Sequence, residues 1–437
     1  MRTTVNTTSA AVTRRDLLKY SGLALGGLAV AGNAGKVLAA PPETPQAMPK
    51  VSLEKNPEPG QMRITFCGTW FTPRINQACN SVFVELGNEA NDAFVFDCGM
   101  GVVAKYVALG VPYSRMTKIF LTHLHGDHMS DLVCIYCFGP ATDRKTPLHV
   151  YGPSGPEYPP APPIEEQGTT AFCENLLKLC EWHKESFSFL PTGYEGEPNG
   201  YVLEPHELPY LANPAIAYQD PENGVTISHF PAIHARDGSI SYRLDWEWEG
   251  KVRSMVFTGD TKPNTYVLQN AQNVDVLIHE LATDPSVWVT KETGLQVGDP
   301  GYDIVLAVNA EVIANSHTLA SAFGYIMSQT TPRLAVATHF PDDPYLQGLA
   351  LRDIRCFYPE KKGPVLIAKD LQVITVEADE KIHQYMAQVP VNPWYHTFPL
   401  NPDKTLADPK YHGPLAQFSD EIKAHIIPIT DYEQCEL

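Results

Sequence analysis

The sequence predicts a layered α/β fold whose functional site lies along one edge of a β-sheet. Apolar runs with the alternation of β-strands follow one another along the chain, and segments with helical spacing lie between them. Imidazole side chains recur where these predicted strands end, as at His123, His234 and His339. Because strands that end at the same edge bring their last residues together, the pattern points to one shared site there.

The predicted elements alternate over most of the chain. Predicted strands cover residues 62–66, 81–86, 93–99, 119–121, 148–153, 225–233, 240–244, 252–258, 274–278, 334–338 and 373–376, the last being the expected final core strand. Predicted helices cover residues 102–109, 129–138, 169–184 and 321–329. Residues 190–224 are rich in Pro, Gly, Asn and Glu, which predicts a long irregular segment of the kind that forms lids or walls.

The chain divides into four predicted parts. Residues 1–40 read as an export signal, and the proline-rich residues 41–60 read as a linker. Residues 61–385 form the expected main domain, with an insert at 153–224. Residues 386–437 form a C-terminal extension, rich in proline and aromatic residues, that we expect to wrap the core or to contact a second copy in a homo-oligomer.

The N-terminal segment has the composition of a secretory signal. Arg14 and Arg15 precede an apolar run, residues 20–31, that is too short to span a bilayer comfortably. Residues 37–39 (VLA) offer a cleavage site before Ala40. The paired arginines resemble a twin-arginine signal, which predicts a periplasmic or secreted protein with no stable membrane insertion after cleavage. An uncleaved N-terminal anchor is the alternative.

The charge balance is strongly acidic. The whole chain carries 32 Lys and Arg against 50 Asp and Glu, a net charge of −18. Cleavage after residue 39 or 40 would remove five basic residues and one acidic residue, leaving 27 basic and 49 acidic residues and a net charge of −22. Such a surface repels polyanions, and the sequence therefore predicts no nucleic acid partner.

The nine cysteines give no assignable disulfide. Cys134 and Cys137 form a CxxC within an apolar run, which favours a buried structural pair over a redox or zinc site. Cys173 and Cys180 lie two helical turns apart, too far for a bond within one straight helix.

The strongest signal is a cluster of metal-capable residues after the predicted strand 119–121. His123, His125, Asp127 and His128 fall within six residues, and Gly126 supplies a tight turn between them. Imidazole nitrogen and carboxylate oxygen suit Zn²⁺ and similar divalent ions. A lone histidine is usually a hydrogen-bonded structural residue, but four such residues at this spacing predict a metal site.

Other predicted strand ends add candidates to the same edge. They are His234, Asp260, Glu280 and His339. Each alone is a weak signal, but a set that recurs at strand ends is a stronger one. His149 and His229 lie inside predicted strands and are interpreted as structural.

The motif at residues 123–128, of the form HxHxDH, resembles the signature of the metallo-β-lactamase superfamily. Further segments resemble, in order, motifs of the branch that contains ribonuclease Z, arylsulfatases of the metallo-β-lactamase type and related phosphodiesterases. These segments are 66–69 (FCGT), 97–101 (DCGMG), His234 with 241–243 (SYR), 257–261 (FTGDT), 279–283 (HELAT), 317–318 (HT) and 338–339 (TH). The resemblance covers roughly residues 62–345.

The resemblance implies a four-layered αββα metallo-β-lactamase sandwich that holds two divalent metal ions, with zinc as the expected metal. The implied ligands are His123, His125 and His234 for the first ion, Asp127, His128 and His339 for the second, and Asp260 between them. Asp97 would support the ligands from behind.

The implied catalytic residues are Asp127, His317 and Glu280. Glu280 would orient His317, which would reach the leaving group. On its own evidence, His317 could equally be a helix-start histidine without a chemical role. Two divalent ions bring four positive charges, and Asp127, Asp260 and a bridging hydroxide offset three of them, so the site would favour an anionic substrate.

The implied function is hydrolysis of a small-molecule ester, an aryl sulfate or a phosphodiester. Asp260 in place of a cysteine argues against a true β-lactamase, and HxHxD rather than HxExD argues against a flavin-linked di-iron reductase. The 26 positions from His234 to Asp260 leave no room for the tRNA-gripping arm of ribonuclease Z, and residues 340–343 (FPDD) replace its serine-rich continuation.

Two alternatives stay open. A lactonase or other carboxylic-ester hydrolase would use the same dinuclear site, and activity on lactones alone would favour it. A catalytically silent binding protein would keep the metal site and turn over no ester.

Overall fold

Two β-sheets lie face to face, and aromatic and aliphatic side chains fill the space between them. The computed structural model of the chain describes residues 48–157, 166–187, 200–390 and 419–425. Within those residues the first sheet has nine strands: β1 (Lys50–Val51), β2 (Met62–Gly68), β3 (Ser81–Leu86), β4 (Ala93–Phe96), β5 (Lys118–Phe120), β6 (Leu148–Pro153), β7 (Leu203–Leu208), β15 (Gln372–Val376) and β16 (Ile382–Ala387). Their order across the sheet is β1-β16-β15-β2-β3-β4-β5-β6-β7.

The second sheet has seven strands within the described part of the chain. They are β8 (Ala215–Asp220), β9 (Val225–His234), β10 (Arg236–Trp248), β11 (Lys251–Phe257), β12 (Val276–Glu280), β13 (Leu334–Thr338) and β14 (Val365–Ile367), and their order is β14-β13-β12-β11-β10-β9-β8. β10 is antiparallel to both β9 and β11, and β11, β12 and β13 are parallel to one another. β9, β11, β12 and β13 therefore end at the same edge of this sheet.

Helices cover the outer faces of both sheets. Their bounds are α1 (Val102–Ala108), α2 (Gly126–Met129), α3 (Leu132–Thr142), α4 (Thr169–Leu179), α5 (Glu181–Phe187), α6 (Thr265–Asn270), α7 (Pro285–Thr293), α8 (Tyr302–Ser316), α9 (Ala320–Thr330), α10 (Pro344–Phe357) and α11 (Asp420–Lys423). Residues of α1, α3 and α4 share one core with the first sheet, and residues of α6, α9 and α10 share another with the second.

The central core lies between the sheets and is strongly aromatic. Phe96 and Phe120 of the first sheet stack at 5.2 Å, and Phe96 meets Tyr242 and Phe257 of the second sheet at 5.8 and 6.1 Å. Helix, sheet, sheet and helix thus form four layers, and the predicted αββα arrangement is confirmed. No described helix has the length and apolar character needed to cross a membrane.

Several predicted element bounds are wrong. The segment 190–224 is not irregular throughout, because its described part contains β7 and β8, which form the outermost strands of the two sheets. The single helix expected at 169–184 is divided at Cys180 into α4 and α5. Residues 373–376 are not the last core strand, because β16 follows and pairs with β15.

The cysteines also differ from expectation. Cys137 is buried, but Cys134 is only partly buried, so the CxxC is not a fully buried pair. All eight cysteines in the described residues are free thiols. The predicted signal at 1–40 and most of the predicted extension lie outside the described residues.

A tight turn joins β10 and β11. Trp248 pairs with Lys251, and the two residues between them, Glu249 and Gly250, have φ values of 51° and 75°. Two left-handed residues are the geometry of a short hairpin turn that follows the twist of the strands. No arm can extend between β10 and β11 in this chain, as the short spacing to Asp260 predicts.

Candidate metal centre

Strand ends of both sheets deliver the predicted ligands to one place. β5 ends at Phe120 and leads to His123, after which α2 carries Asp127 and His128. β9 ends at His234 itself, Asp260 follows β11 by three residues, and His339 directly follows β13. Because β9, β11 and β13 run in the same direction, the three ligands of the second sheet reach the same edge.

A close contact between the two sheets sets the position of Asp260. Gly259 has φ 57°, and a Cβ placed on it would lie 2.5 Å from the side chain of Thr122. A larger residue would push the two strand ends apart. Glycine is therefore required so that Asp260 of one sheet can stand beside His123 of the other.

The first group of ligands consists of three imidazoles. One ring nitrogen from each of His123, His125 and His234 lies within 4.8 Å of the others. His234 Nδ1 donates a hydrogen bond to the carbonyl oxygen of Ser316 at 2.7 Å, which leaves Nε2 to face His125 Nδ1 at 3.2 Å. Three nitrogens turned toward one point are the donor set of a zinc site with open positions.

The second group mixes imidazoles with carboxylates. It consists of Asp127, His128, Asp260 and His339. His339 Nε2 lies 3.2 Å from Asp127 Oδ2 and 3.4 Å from Asp260 Oδ2. Asp260 Oδ2 also lies 3.8 Å from His234 Nε2 of the first group. The Asp260 carboxylate therefore stands between the two groups, where it could serve ions held by either of them.

Several buried polar atoms at this place have no hydrogen-bond partner within the described residues, which bears on whether metal ions fit here. His123 Nε2, His128 Nε2 and Asp260 Oδ1 are buried and accept or donate no hydrogen bond within the described residues. His128 Nε2 lies 3.3 Å from Asp260 Oδ1, but the pair does not meet hydrogen-bond geometry. Since buried polar atoms are nearly always satisfied, these atoms fit a pair of divalent cations as their missing partners.

The Asp97 carboxylate is hydrogen-bonded to His128, one of the candidate ligands. Its Oδ2 accepts from His128 Nδ1 at 2.7 Å, and its Oδ1 accepts from the Thr122 backbone amide at 2.8 Å. Asp97 is fully buried and adopts a left-handed φ of 56°. Burial raises the pKa of Asp97, and the His128 ring opposes that shift. The carboxylate thereby fixes the tautomer and orientation of His128.

Carboxylates concentrate negative charge around His128. Burial favours the neutral imidazole, but Asp260, Asp97 and Asp127 outweigh burial and raise the pKa of His128 well above its ordinary value. The pKa of Asp127 moves in the opposite direction, because His128 outweighs the effect of burial on that carboxyl. The same negative charge would attract a divalent cation.

His317 and Glu280 form a pair beside both ligand groups. His317 Nδ1 donates to Glu280 Oε1 at 3.0 Å, and Glu280 is fully buried. Burial alone would lower the pKa of His317, but Glu280 and then Asp260 outweigh it and raise the pKa to about 9. The His317 ring lies 4.9 Å from that of His234 and 5.6 Å from that of His339. An imidazole whose pKa is raised therefore lies beside both ligand groups.

Two walls flank the centre, and sequence analysis missed both. Arg236 lines a cavity of about 270 Å³ that also contains His123, His125 and His234. Its exposed guanidinium makes no ion pair or hydrogen bond within the described residues. On the other side Phe71, 37% exposed, places its ring 5.8 Å from that of His339. The closeness of Arg236 to His234 in the chain was the one available signal.

Comparisons with known proteins find similarity to the metallo-β-lactamase superfamily and to ribonucleases. Residues 75–133 match the model of the Metallo-beta-lactamase superfamily. Ribonuclease BN of Proteus mirabilis is 28% identical over 237 residues, which are 50% of this chain and 76% of that protein. Ribonuclease Z of Bacillus licheniformis is 28% identical over 237 residues, 50% of this chain and 75% of its own. The short form of human tRNase Z is 18% identical, covers 75% of this chain and all of its own, and gives a TM-score of 0.45.

The matched segment contains Asp97 and the HxHxDH motif, and the four layers surround it. The predicted four-layered αββα sandwich is thus confirmed as the fold, and the superfamily match covers the segment that carries the motif. The relatives correct one prediction, because they are ribonucleases, and the exclusion of nucleic acid as a partner is wrong. Net charge averages over the whole surface, whereas binding depends on the charges near the bound molecule.

We expect the substitution Asp97→Asn to lower the Zn²⁺ affinity of the centre about 10- to 100-fold. The amide keeps the shape of the carboxylate but loses one acceptor, so the His128 ring is no longer held. Competition with a chromogenic chelator measures the affinity, and circular dichroism checks the fold.

Asp92→Asn is the matched control for this substitution. Asp92 is also buried and paired, with Lys118 at 2.7 Å, but it touches no ligand. Equal Zn²⁺ affinity in the Asp97 variant and the native protein would show that Asp97 does not position the centre.

Proposed function

We propose that this protein is a metal-dependent hydrolase of phosphodiester bonds. The observation that carries the proposal is the position of Asp260 between two groups of ligands whose buried atoms lack other partners. Two adjacent metal ions are the usual device for stabilising both the attacking and the leaving oxygen in such a displacement. Relatives named as ribonucleases support the phosphodiester class.

The proposed ligand assignment follows the two groups. His123, His125 and His234 would hold one ion, and Asp127, His128 and His339 would hold the other, with Asp260 between them. Zinc is the proposed metal because imidazole and carboxylate are its usual donors outside thiolate sites. When bound, the ions supply an activated water near neutral pH and polarise the phosphoryl oxygen.

The charges of the chain favour an anionic substrate at this point. Two divalent ions bring four positive charges, whereas Asp127 and Asp260 offset two. The remaining positive charge, with Arg236 beside it, would draw a phosphodiester toward the centre despite the acidic surface elsewhere. The Arg236 guanidinium offers donors in the fork geometry that matches phosphate oxygens.

His317 would deliver the proton to the leaving oxygen. Glu280 fixes the ring through Nδ1, which leaves Nε2 as the nitrogen able to reach the substrate. The buried carboxylate keeps the ring protonated, as a general acid requires. Glu280 has no room to act on substrate itself, because its side chain is fully buried. We therefore assign it a positioning role.

The size of the substrate is part of the proposal. The two-residue turn between β10 and β11 leaves no place for the arm that the resemblance associates with tRNA binding in ribonuclease Z. Small phosphodiesters fit the open centre directly, and RNA would have to bind across other surfaces of the protein. For location, the twin-arginine pattern supports the proposal of a periplasmic or secreted enzyme.

The zinc-loaded full chain should hydrolyse bis(4-nitrophenyl) phosphate and a dinucleotide or short RNA. Removal of metal with a chelator should abolish the activity, added Zn²⁺ should restore it, and Asp260→Ala should lower it at least about 100-fold because the bridging ligand is lost. Absorbance and gel assays measure the two reactions.

The panel for this test includes 4-nitrophenyl sulfate and a lactone. Hydrolysis of only the sulfate would point to the arylsulfatase interpretation, and hydrolysis of only the lactone to the carboxylic-ester one. Either result would contradict the phosphodiester proposal, as would activity that survives complete removal of metal.

The substitution His317→Ala should separate good leaving groups from poor ones. We expect dinucleotide cleavage to fall about 10²- to 10⁴-fold, because its alkoxide leaves only with a proton. Cleavage of bis(4-nitrophenyl) phosphate should fall less than about tenfold, because 4-nitrophenolate leaves without one. Steady-state rates on the two substrates measure the difference.

His383→Ala serves as the control for a lost imidazole, because His383 is exposed on β16 at the far side of the first sheet. Equal losses by the His317 variant on both substrates would show that His317 is not the proton donor.

The substitution Arg236→Gln should raise KM for a dinucleotide about tenfold or more and change kcat less than about threefold. The guanidinium binds the ground state and transition state alike, so its loss weakens binding without slowing chemistry. Arg236→Lys should recover part of the affinity. Arg352→Gln is the control, because Arg352 is exposed and pairs with its neighbour Asp353. A fall in kcat at unchanged KM would refute this role.

A further inference from the structure

We propose that this protein binds a further divalent transition-metal ion, with Zn²⁺ as the expected species, between β6 and β7 through His149, Glu204 and His206. This site is separate from the centre described above and does not depend on the proposed hydrolytic activity. It follows from strand register, from the convergence of three ligand atoms and from the accessibility of the cluster.

Strand register brings the three side chains to one face of the first sheet. β6 and β7 are parallel, with His149 opposite Glu204 and Tyr151 opposite His206. Residues two apart on a strand point to the same face, so all four side chains lie on that face. The sequence alone gives His149 no partner, because Glu204 and His206 follow it by more than fifty residues.

The ligand atoms converge as they would around a cation. His149 Nδ1 lies 3.2 Å from His206 Nε2 and 3.1 Å from Glu204 Oε2. Tetrahedral zinc with bonds of about 2.0–2.1 Å separates its ligand atoms by about 3.3 Å. One atom of each residue falls within 4.8 Å of the other two. The two distances from His149 Nδ1 therefore match the spacing of a zinc coordination shell, and the third ligand atom lies close enough to join the same shell.

Hydrogen bonding alone does not account for this arrangement. Both short contacts share the same atom, His149 Nδ1, which carries at most one hydrogen. That hydrogen serves the Glu204 carboxylate or the His206 nitrogen, but not both. A single cation placed among the atoms would satisfy all three at once.

Neighbouring side chains restrain the proposed ligands, and the nearby Lys118 does not compete for Glu204. The His206 ring stacks on Tyr151 at 4.3 Å with only 9° between the planes, which limits rotation of the imidazole. Lys118, the neighbour of His149 on β5, is paired with Asp92 at 2.7 Å rather than directed at Glu204.

Solvent reaches the cluster, and its ligands are separate from those of the candidate metal centre. The His149 side chain is 31% exposed and that of Glu204 46%, so an ion can enter and water can complete its coordination. His149 pairs with Lys118 at the start of β5, whereas His123 lies five residues further along. The chain between them spans at most about 18 Å, and none of the three proposed ligands belongs to the ligand groups of the candidate metal centre. An ion here would bind the edge strand β7 to β6 and hold the border of the sheet.

The test counts metal ions bound by the full chain. Metal-free protein is titrated with Zn²⁺ by calorimetry, and bound zinc is measured after gel filtration. The double variant His149→Asn with His206→Asn should bind one ion fewer per chain than the native protein. The difference of one holds whether or not the other centre loads, so a failure of the proposed function is distinguishable from a failure of this site.

Controls make the count specific. His383→Asn, on the exposed face of β16, should bind as many ions as the native protein. Asp260→Ala should lose zinc from the centre but retain the ion between β6 and β7. Glu204→Gln is the mildest change, because Glu204 is the most exposed ligand. It should lower the Zn²⁺ affinity of the site between β6 and β7 at least tenfold. The melting temperature of the metal-free protein should stay unchanged.

Cobalt provides a second readout for the same site. Co²⁺ loaded into Asp260→Ala should give visible absorption bands that disappear when His149 and His206 are also replaced. An unchanged zinc count in the double variant, or cobalt bands that persist in it, would overturn the proposal.

Discussion

The carboxylate of Asp260 shapes the rest of the centre, because it is a buried charge shared by two groups of imidazoles. Its oxygens lie 3.3 Å from His128, 3.4 Å from His339 and 3.8 Å from His234. One oxygen has no hydrogen-bond partner within the described residues. Burial of such a charge is costly, and the neighbouring imidazoles, among them His128 with its raised pKa, offset part of that cost. The fold holds this group in place by the close approach of Gly259 to Thr122, which only glycine allows.

Strand ends and the short helix α2 position most of the ligands, and the walls come from the loop at Phe71 and from Arg236, the first residue of β10. Strand ends fix His234, Asp260 and His339, and Asp97 fixes His128 from behind. Phe71 and Arg236 stand beside this ligand set and belong to neither ligand group. Such a division would let the ligand set stay constant while the walls determine which molecule enters. The two-residue turn between β10 and β11 removes one binding element that ribonuclease Z is expected to use.

Charge acts locally in this protein. A net charge of −18 led to the exclusion of nucleic acid, yet the relatives are ribonucleases. The acidic residues are spread over the whole chain, whereas a substrate meets the few groups around the centre. There Arg236 makes no ion pair with any described residue, and two metal ions would outweigh Asp127 and Asp260. Overall charge therefore sets the long-range field but does not decide what binds at one cleft.

The sequence by itself determined the layered fold and the set of metal-capable residues at strand ends. This was possible because alternation within strands, and ligands at their ends, are local patterns that a sequence displays. It also indicated the short turn before Asp260. The role of the metal-capable residues as ligands, the export signal and the identity of the metal stay predictions.

Only the tertiary structure decided the features that depend on contacts between segments far apart in the sequence. β7 and β8 lie in a stretch whose composition suggested loops, and they are strands because each pairs with a neighbouring strand of its sheet. The cluster of His149, Glu204 and His206 exists through the register of β6 with β7. Arg236 and Phe71 become walls of the site only when the sheets stack. Contacts of this kind leave no periodic pattern in the sequence. They depend on how whole layers pack against one another and not on the order of neighbouring residues.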